Sequence, residues 1–504
     1  MMDSPVWLDG HSLTLEEWEQ VVFHRRPVQL APTAITAMER SRRLVDGAVA
    51  RGDVIYGITT GFGKFSDTVI DREQSEELQH NLIKSHACGV GEPLSEEIVR
   101  GMMVLRANAL ARGYSGIRPS TVNALILLLN DGIHPVIPSQ GSLGASGDLA
   151  PLAHMILPLI GEGEVSYRGQ RMGARTVLDQ RGHAPITLAA KEGLALINGT
   201  QMMASICALA IRKAENLLIS ADIISAMTME ALGGIPDALH PLLHQARGQM
   251  GQLQVAAHMR ALLHGSHCLT RPGEKRVQDA YSLRCIPQVH GASRDAYEHV
   301  EAIVIRELNA VTDNPLLFTD ENLILSGGNF HGQPLALAAD YLGIAMAEIA
   351  NISERRSERL LNPQLSGLPP FLTQKGGLHS GYMILQYVAA ALVSENKGLA
   401  HPASVDSIPS SANQEDHVSM GSIAARKLLR ILDNVTRVLA IEWITAAQGL
   451  EFSDRQMGAG TVPAYRLIRK HIPPLVNDRP GQPDIEQAAQ LIESGQLVKA
   501  AAVS

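Results

Sequence analysis

The sequence predicts a mainly α-helical protein, with a core bundle of long helices preceded by a loop-rich N-terminal part that carries a small β-hairpin. Three observations lead there. Apolar residues recur at helical spacing over long stretches; aromatic residues make up only 4% of a chain whose hydrophobic content is 45%; and strand signals are few. At 504 residues the chain is long enough to bury a large core without disulfides or metals as staples.

Each element follows from the order of residues. Ser95 is a suitable N-cap, with Glu96 and Glu97 where the helix dipole favours acids. Ile98, Met102, Leu105 and Ala109 then recur at helical spacing, and Gly113 ends the segment. A longer pattern runs from Pro334 through Leu335, Ala338, Leu342, Met346, Ile349 and Ile352 towards Arg359. Another runs from Ala425 to about Gln448, carried by Leu428, Ile431, Leu432, Val435, Leu439 and Ile441. Helices this long and rich in Ala and Met suit a bundle with small residues at close crossings. Glu164-Val165-Ser166-Tyr167 followed by Arg168-Gly169-Gln170 reads as the hairpin. A domain boundary is expected near residue 200, dividing the chain into 1–200 and 201–504.

Composition narrows the function. Lys and Arg number 43 against 51 acidic residues, a net charge of -8, which lacks the footprint of a phosphate-backbone binder, so no nucleic-acid partner is expected. Cys88, Cys207, Cys268 and Cys285 form no CxxC pair, as expected of a reducing compartment. The N-terminal stretch shows no apolar leader, and no run of 18 apolar residues occurs, so a cytoplasmic protein without a membrane partner is expected. His240 and His244 are spaced i,i+4 but lack an HExxH context, and no metal site is expected.

Three stretches break the helical pattern with glycine and polar residues: 56–63, 138–148 and 326–331. In a helical protein such loops are where chemistry is usually placed. The first is no phosphate loop, because Gly57 and Gly63 are separated by five residues rather than four and Phe65 stands where a Ser or Thr should follow the lysine. The second is no nucleophile elbow, because Asp148 replaces the final glycine of GxSxG.

An isolated Ala-Ser-Gly is an ordinary turn, but Gly141 to Met155, GSLGASGDLAPLAHM, resembles the signature of the aromatic amino acid ammonia-lyases. Five further segments resemble that family in its order: Ile55-Tyr56-Gly57 through Gly61-Phe62-Gly63, Leu196 to Gln201, Ala280 to Cys285, Gly327 to His331 with Phe330, and Asn413 to His417. The resemblance implies that Ala145, Ser146 and Gly147 cyclise and dehydrate to a 4-methylidene-imidazol-5-one (MIO), the only cofactor expected. The residue types suit that chemistry. A Cβ at position 147 would crowd ring closure on the Ala145 carbonyl, and Ser146 carries the β-hydroxyl whose loss leaves a methylene.

By the same resemblance Tyr281 is the base, Tyr56 and Asn198 hold the substrate in line, and Arg284 clamps its carboxylate. His86, Phe330, Gln414 and Glu415 complete the substrate site. Ser85-His86 is similar to the pair found in the members that act on histidine, which makes L-histidine the expected substrate and trans-urocanate the product. The imidazole has one donor and one acceptor nitrogen, which His86 and Glu415 are expected to satisfy. The alternatives are a tyrosine or phenylalanine lyase, an aminomutase, or a relative that keeps only the fold. The resemblance also implies a homotetramer whose sites combine loops of several subunits.

Overall fold

The computed structural model describes residues 4–502 apart from 62 and 66; Phe62 of the first glycine loop is therefore outside the described residues. Among these, twenty α-helices dominate and the strands form only small two- and three-stranded sheets, so the mainly helical expectation is met. The helices that matter below are α1 (Ser75–His86), α2 (Glu96–Ala111), α3 (Leu149–Ile156), α4 (Glu192–Ile197), α5 (Gln201–Leu232), α6 (Tyr281–Arg284), α7 (Ile286–Glu307), α8 (Gln333–Leu361) and α9 (Gly421–Leu450). The two long periodic patterns are α8 and α9.

The chain forms two compact units. The first comprises Met1–Leu209, Ala302–Ala339 and Pro402–Arg426; the second comprises Ala210–Glu301, Asp340–His401 and Lys427–Ser504. Residues 302–339 and 402–426 return to complete the first unit.

In the first unit, α2 starts after Ser95, which is extended as a cap residue but makes no side-chain capping bond. It is followed by Gly113 at φ +81, where a Cβ would meet the backbone of Ala37 at 2.8 Å. The spacing of Ile98, Met102, Leu105 and Ala109 suggested one buried face; instead every residue from Ile98 to Ala111 is buried. The charged positions are accommodated by carbonyl groups. Arg100 donates to the carbonyls of Val22 (3.0 Å) and Leu129 (3.2 Å). Arg106 donates to the Ala195 carbonyl and to Gln201 Oε1 at 2.9 Å. Val22 and Leu129 lie in the last turns of their own helices, where carbonyls lack intrahelical donors. Burial pulls both guanidinium groups down to about 10.

The hairpin forms as expected. Strands β2 (Glu164–Tyr167) and β3 (Gln170–Gly173) pair antiparallel with Tyr167 opposite Gln170. Arg168 (φ 52) and Gly169 (φ 75) form the two-residue turn with both dihedrals positive that matches strand twist. The sequence reading missed a third strand, β1 (Ile133–Pro135), which pairs with β2.

The second unit is organised around buried charge. Arg356 and Glu442 are both fully buried and meet through two bonds, Nε to Oε1 at 2.6 Å and Nη2 to Oε2 at 2.9 Å. Thr228 Oγ1 also donates to Glu442 Oε1, at 2.7 Å. Asp222 contacts His258 (2.9 Å), His290 (2.7 Å) and Arg294 (2.6 Å). Burial alone would raise its carboxyl, but these neighbours hold it well below the usual range. Helix α8 contains an 18-residue window of mean hydropathy 1.4, enough to cross a membrane by length and composition, yet 67% of that window is buried inside the protein. A core helix satisfies the same criterion.

Candidate active site

A cavity of about 970 Å³ in the first unit is lined by Tyr56, His86, Ser146, Asn198, Phe330, Gln414 and Glu415, together with the apolar side chains of Leu82, Leu149, Leu194 and Ile197. Seven residues singled out from the sequence, scattered over 360 positions, thus meet around one space. Ala145 and Gly147 flank Ser146 in the loop before α3. Tyr281 and Arg284 do not line this cavity: they lie on α6 in the second unit. Tyr281 is 71% exposed, with the Arg284 guanidinium 4.6 Å from its ring centroid. Gln201 is also absent from the lining, because its amide joins Arg106 and, at 3.0 Å, Thr312.

The 141–148 loop is clamped on two sides. Gly147 adopts φ +71, and a Cβ there would meet the Gly199 carbonyl oxygen at 2.1 Å; only glycine fits. Asn198 Nδ2 donates to the Ser146 carbonyl at 3.0 Å, and Asp148 N–H donates to the Gly199 carbonyl at 2.6 Å. From the opposite side, Ser419 Oγ donates to the Gly144 carbonyl (3.0 Å), Ser422 Oγ to the Ser142 carbonyl (2.6 Å) and Met420 N–H to the Leu143 carbonyl (2.8 Å).

Asp148 is fully buried behind the loop and accepts from Met203 N–H at 2.9 Å, in the first turn of α5. Burial pushes its carboxyl up to about 7, against the pull of the Met203 and Met202 amides. Sequence reasoning passed over Asp148 and the three serines at 142, 419 and 422. A charged residue directly after a glycine turn, with no predicted exposed face, was the one available signal for Asp148.

Ser146 Oγ donates to Glu415 Oε1 at 2.9 Å, and Ser410 Oγ donates to Glu415 Oε2 at 2.7 Å. His86 ends α1. Its Nδ1 lies 2.8 Å from the Leu82 carbonyl, and since a carbonyl only accepts, Nδ1 carries the proton and Nε2 is left with its lone pair. Burial lowers the His86 pKa, the Leu82 contact opposing it, so the ring is held neutral. His86 therefore presents an acceptor, and so does the Glu415 carboxylate. The expected division of one donor and one acceptor between them is not the arrangement found. Tyr56 is half-buried, and burial raises its phenol, with the backbone of Gly63 acting in the opposite direction. It is a hydrogen-bond donor rather than a ready base.

These residues suit the group that the loop was expected to form. The Gly147 cradle has no room for a Cβ, and Asn198 is aimed at the Ser146 carbonyl, which is the oxygen that the ring would keep.

The fold and this site define the class. The family model for aromatic amino acid lyases matches residues 13–470, and the chain belongs to that family, whose enzymes cleave a carbon–nitrogen bond. Its curated relatives include the histidine ammonia-lyase of Alkaliphilus oremlandii, 57% identical over 496 residues, with 98% of each chain covered. That of Symbiobacterium thermophilum is 58% identical over 492 residues, with 97% of each covered. Among solved structures, histidine ammonia-lyase from Trypanosoma cruzi aligns with a TM-score of 0.92 at 44% identity, over 99% of this chain and 95% of that one. Tyrosine aminomutase from Streptomyces globisporus aligns with a TM-score of 0.95 at 39% identity, over 99% and 98%.

Proposed function

We propose that this chain is a cytoplasmic lyase that removes ammonia from L-histidine to give trans-urocanate, with an MIO formed from Ala145, Ser146 and Gly147. The observation that carries the reading is Ser146 standing at the cavity wall between Asn198 and Glu415, beside His86, in a chain more than half identical to histidine ammonia-lyases. Because an aminomutase shares the fold as closely, the substrate rests on side chains. When formed, the MIO supplies an electrophile that turns the substrate amine into a leaving group.

The protein's own groups do the rest. Asn198 Nδ2 polarises the Ser146 carbonyl. His86 Nε2 takes the imidazole N–H, and Glu415 accepts from the ammonium of the substrate. A phenyl ring has no polar hydrogen for His86, so His86 would be desolvated and unpaired, at a cost of about 1–3 kcal/mol. Arg284 binds the carboxylate and Tyr281 takes the β-proton.

The deciding assay compares ammonia release from histidine, tyrosine and phenylalanine and identifies the product by NMR; ammonia only from tyrosine, or a β-amino acid product, would displace this reading. Substrate preference should also follow the pair on α1. His86→Leu is expected to lower kcat/KM for histidine by roughly 5- to 150-fold, the equivalent of about 1–3 kcal/mol. Adding Ser85→Phe should raise the phenylalanine-to-histidine ratio beyond either single change. A double variant with unchanged preference would remove His86 from the substrate site.

With Tyr281 exposed and away from the cavity lining, the proposal includes a homotetramer in which one subunit lends Tyr281 and Arg284 to the cavity of another. Mixing Tyr281→Phe protein with Ser146→Ala protein, each inactive, should then restore part of the activity after subunit exchange. Hybrids that mass spectrometry shows to be mixed but that stay inactive would place the complete site within one chain.

A further inference from the structure

Glu415 touches one of the two oxygen atoms that must leave if the MIO is to form, the Ser146 hydroxyl oxygen. Its Oε1 lies 2.9 Å from Ser146 Oγ, while Ser410 Oγ holds Oε2 at 2.7 Å. The carboxylate is also fixed from behind. Ser410 and Glu415 exchange backbone bonds, 2.9 Å from Ser410 N–H and 3.3 Å from Glu415 N–H. The turn between them runs through three left-handed residues, Ser411 (φ 49), Ala412 (φ 52) and Asn413 (φ 67). Non-glycine residues held there cost of order 1–3 kcal/mol each and persist where the surroundings impose them. The other acid near the loop, Asp148, is turned elsewhere: its oxygens accept from Met203 N–H and Ser142 Oγ.

We propose that Glu415 is the general acid for the dehydration of Ser146, so that it works in building the electrophile before it meets any substrate. The inference rests on the MIO reading above. Ring closure joins Gly147 N to Ala145 C and expels the first water. In the second step the Ser146 Cα–H bond breaks, its proton passes to solvent and its electron pair becomes the Cα=Cβ bond. The Cβ–Oγ pair leaves with oxygen. Hydroxide is a poor leaving group, so the Glu415 carboxylate takes up a proton from solvent and hands it to Oγ along the existing contact; water leaves and the carboxylate is restored. Nothing is oxidised or reduced. Once Oγ has gone, Oε1 loses its internal donor and faces the cavity, free to accept from a ligand. The hydroxyl thus holds the place of a substrate group until maturation removes it.

The test follows the intact mass of the full-length chain after a pulse of synthesis. Wild type should lose two waters. Glu415→Gln, of similar size but without an acidic proton, should lose the second water roughly a hundredfold more slowly, and Glu415→Asp should recover part of the rate. Tyr281→Phe, inactive for a different reason, should lose both waters as fast as wild type. If Glu415→Gln matures at the wild-type rate, the proposal is overturned. If wild type loses no water, the MIO reading itself fails. Should Glu415→Gln not fold, judged by a missing cooperative melt, Ser410→Ala replaces it. That variant removes only the donor on Oε2 and should slow the second loss several-fold; an unchanged rate would equally overturn the proposal.

Discussion

Ser146→Ala is expected to fold and assemble like wild type while losing turnover by roughly 10³-fold or more, because a covalent electrophile has no side-chain substitute. The change removes one oxygen from a half-buried position. Asn198 bonds the Ser146 carbonyl rather than its side chain, and the clamps from Ser419, Ser422 and Met420 all grip backbone. The substitution takes away the hydroxyl's bond to Glu415, which water in the cavity can replace. Thermal melting should therefore stay close to wild type while ammonia release from histidine collapses and the intact mass never shows the second loss of water. Substantial remaining turnover would remove the MIO from the reaction. Gly147→Ala is a useful contrast: it leaves Ser146 in place but forces a Cβ to within 2.1 Å of the Gly199 carbonyl oxygen, so its defect should appear in folding.

Glu442→Gln is expected to be the most damaging single change for stability, at about 3–5 kcal/mol, because it leaves the Arg356 cation buried without its counter-charge. Both side chains are fully buried and doubly bonded, so water cannot take over from the lost carboxylate. Thr228 Oγ1, which donates to the same oxygen, keeps an acceptor only if the new amide presents its oxygen there, and Arg356 competes for it. The midpoint of denaturant unfolding should fall markedly. Replacing Arg356 and Glu442 together by methionine should recover much of the loss, since an apolar pair removes the desolvation cost of both charges. A single variant as stable as wild type would mean that solvent reaches this pair.

Much of this molecule could be read from residue order, and the reasons differ by element. Helices α8 and α9 were legible because their apolar residues repeat over more than six turns, too long for another element to imitate. The hairpin was legible because Arg168-Gly169 supplies a turn with two positive dihedrals. Strand β1 was not, since three residues carry no periodicity. The full burial of α2 was hidden because Arg100, Arg106 and Asn108 look like a solvent face until carbonyls from other segments are seen to take their donors. At the site, glycine loops and a family-like order of motifs pointed to seven side chains that line one cavity. Which nitrogen His86 exposes is another matter, as it depends on the Leu82 carbonyl one turn back. Nor does any local pattern record that Tyr281 and Arg284 belong to a different unit from the cavity.

The exposure of Tyr281 reaches as far as heredity. On the proposed reading, a gene copy that has lost Tyr281 and another that has lost Ser146 each encode a folded, inert chain, yet a cell carrying both would regain some histidine breakdown through mixed assemblies. The opposite holds for a healthy copy beside a damaged one. A chain that folds but cannot react would enter the same assemblies and spoil sites it shares, lowering output by more than the missing half. A chain too unstable to assemble, such as Glu442→Gln, would spare its partner. Severity in a mixed population of chains would then rise with foldedness: among inactive variants, the well-folded ones would do the greater harm.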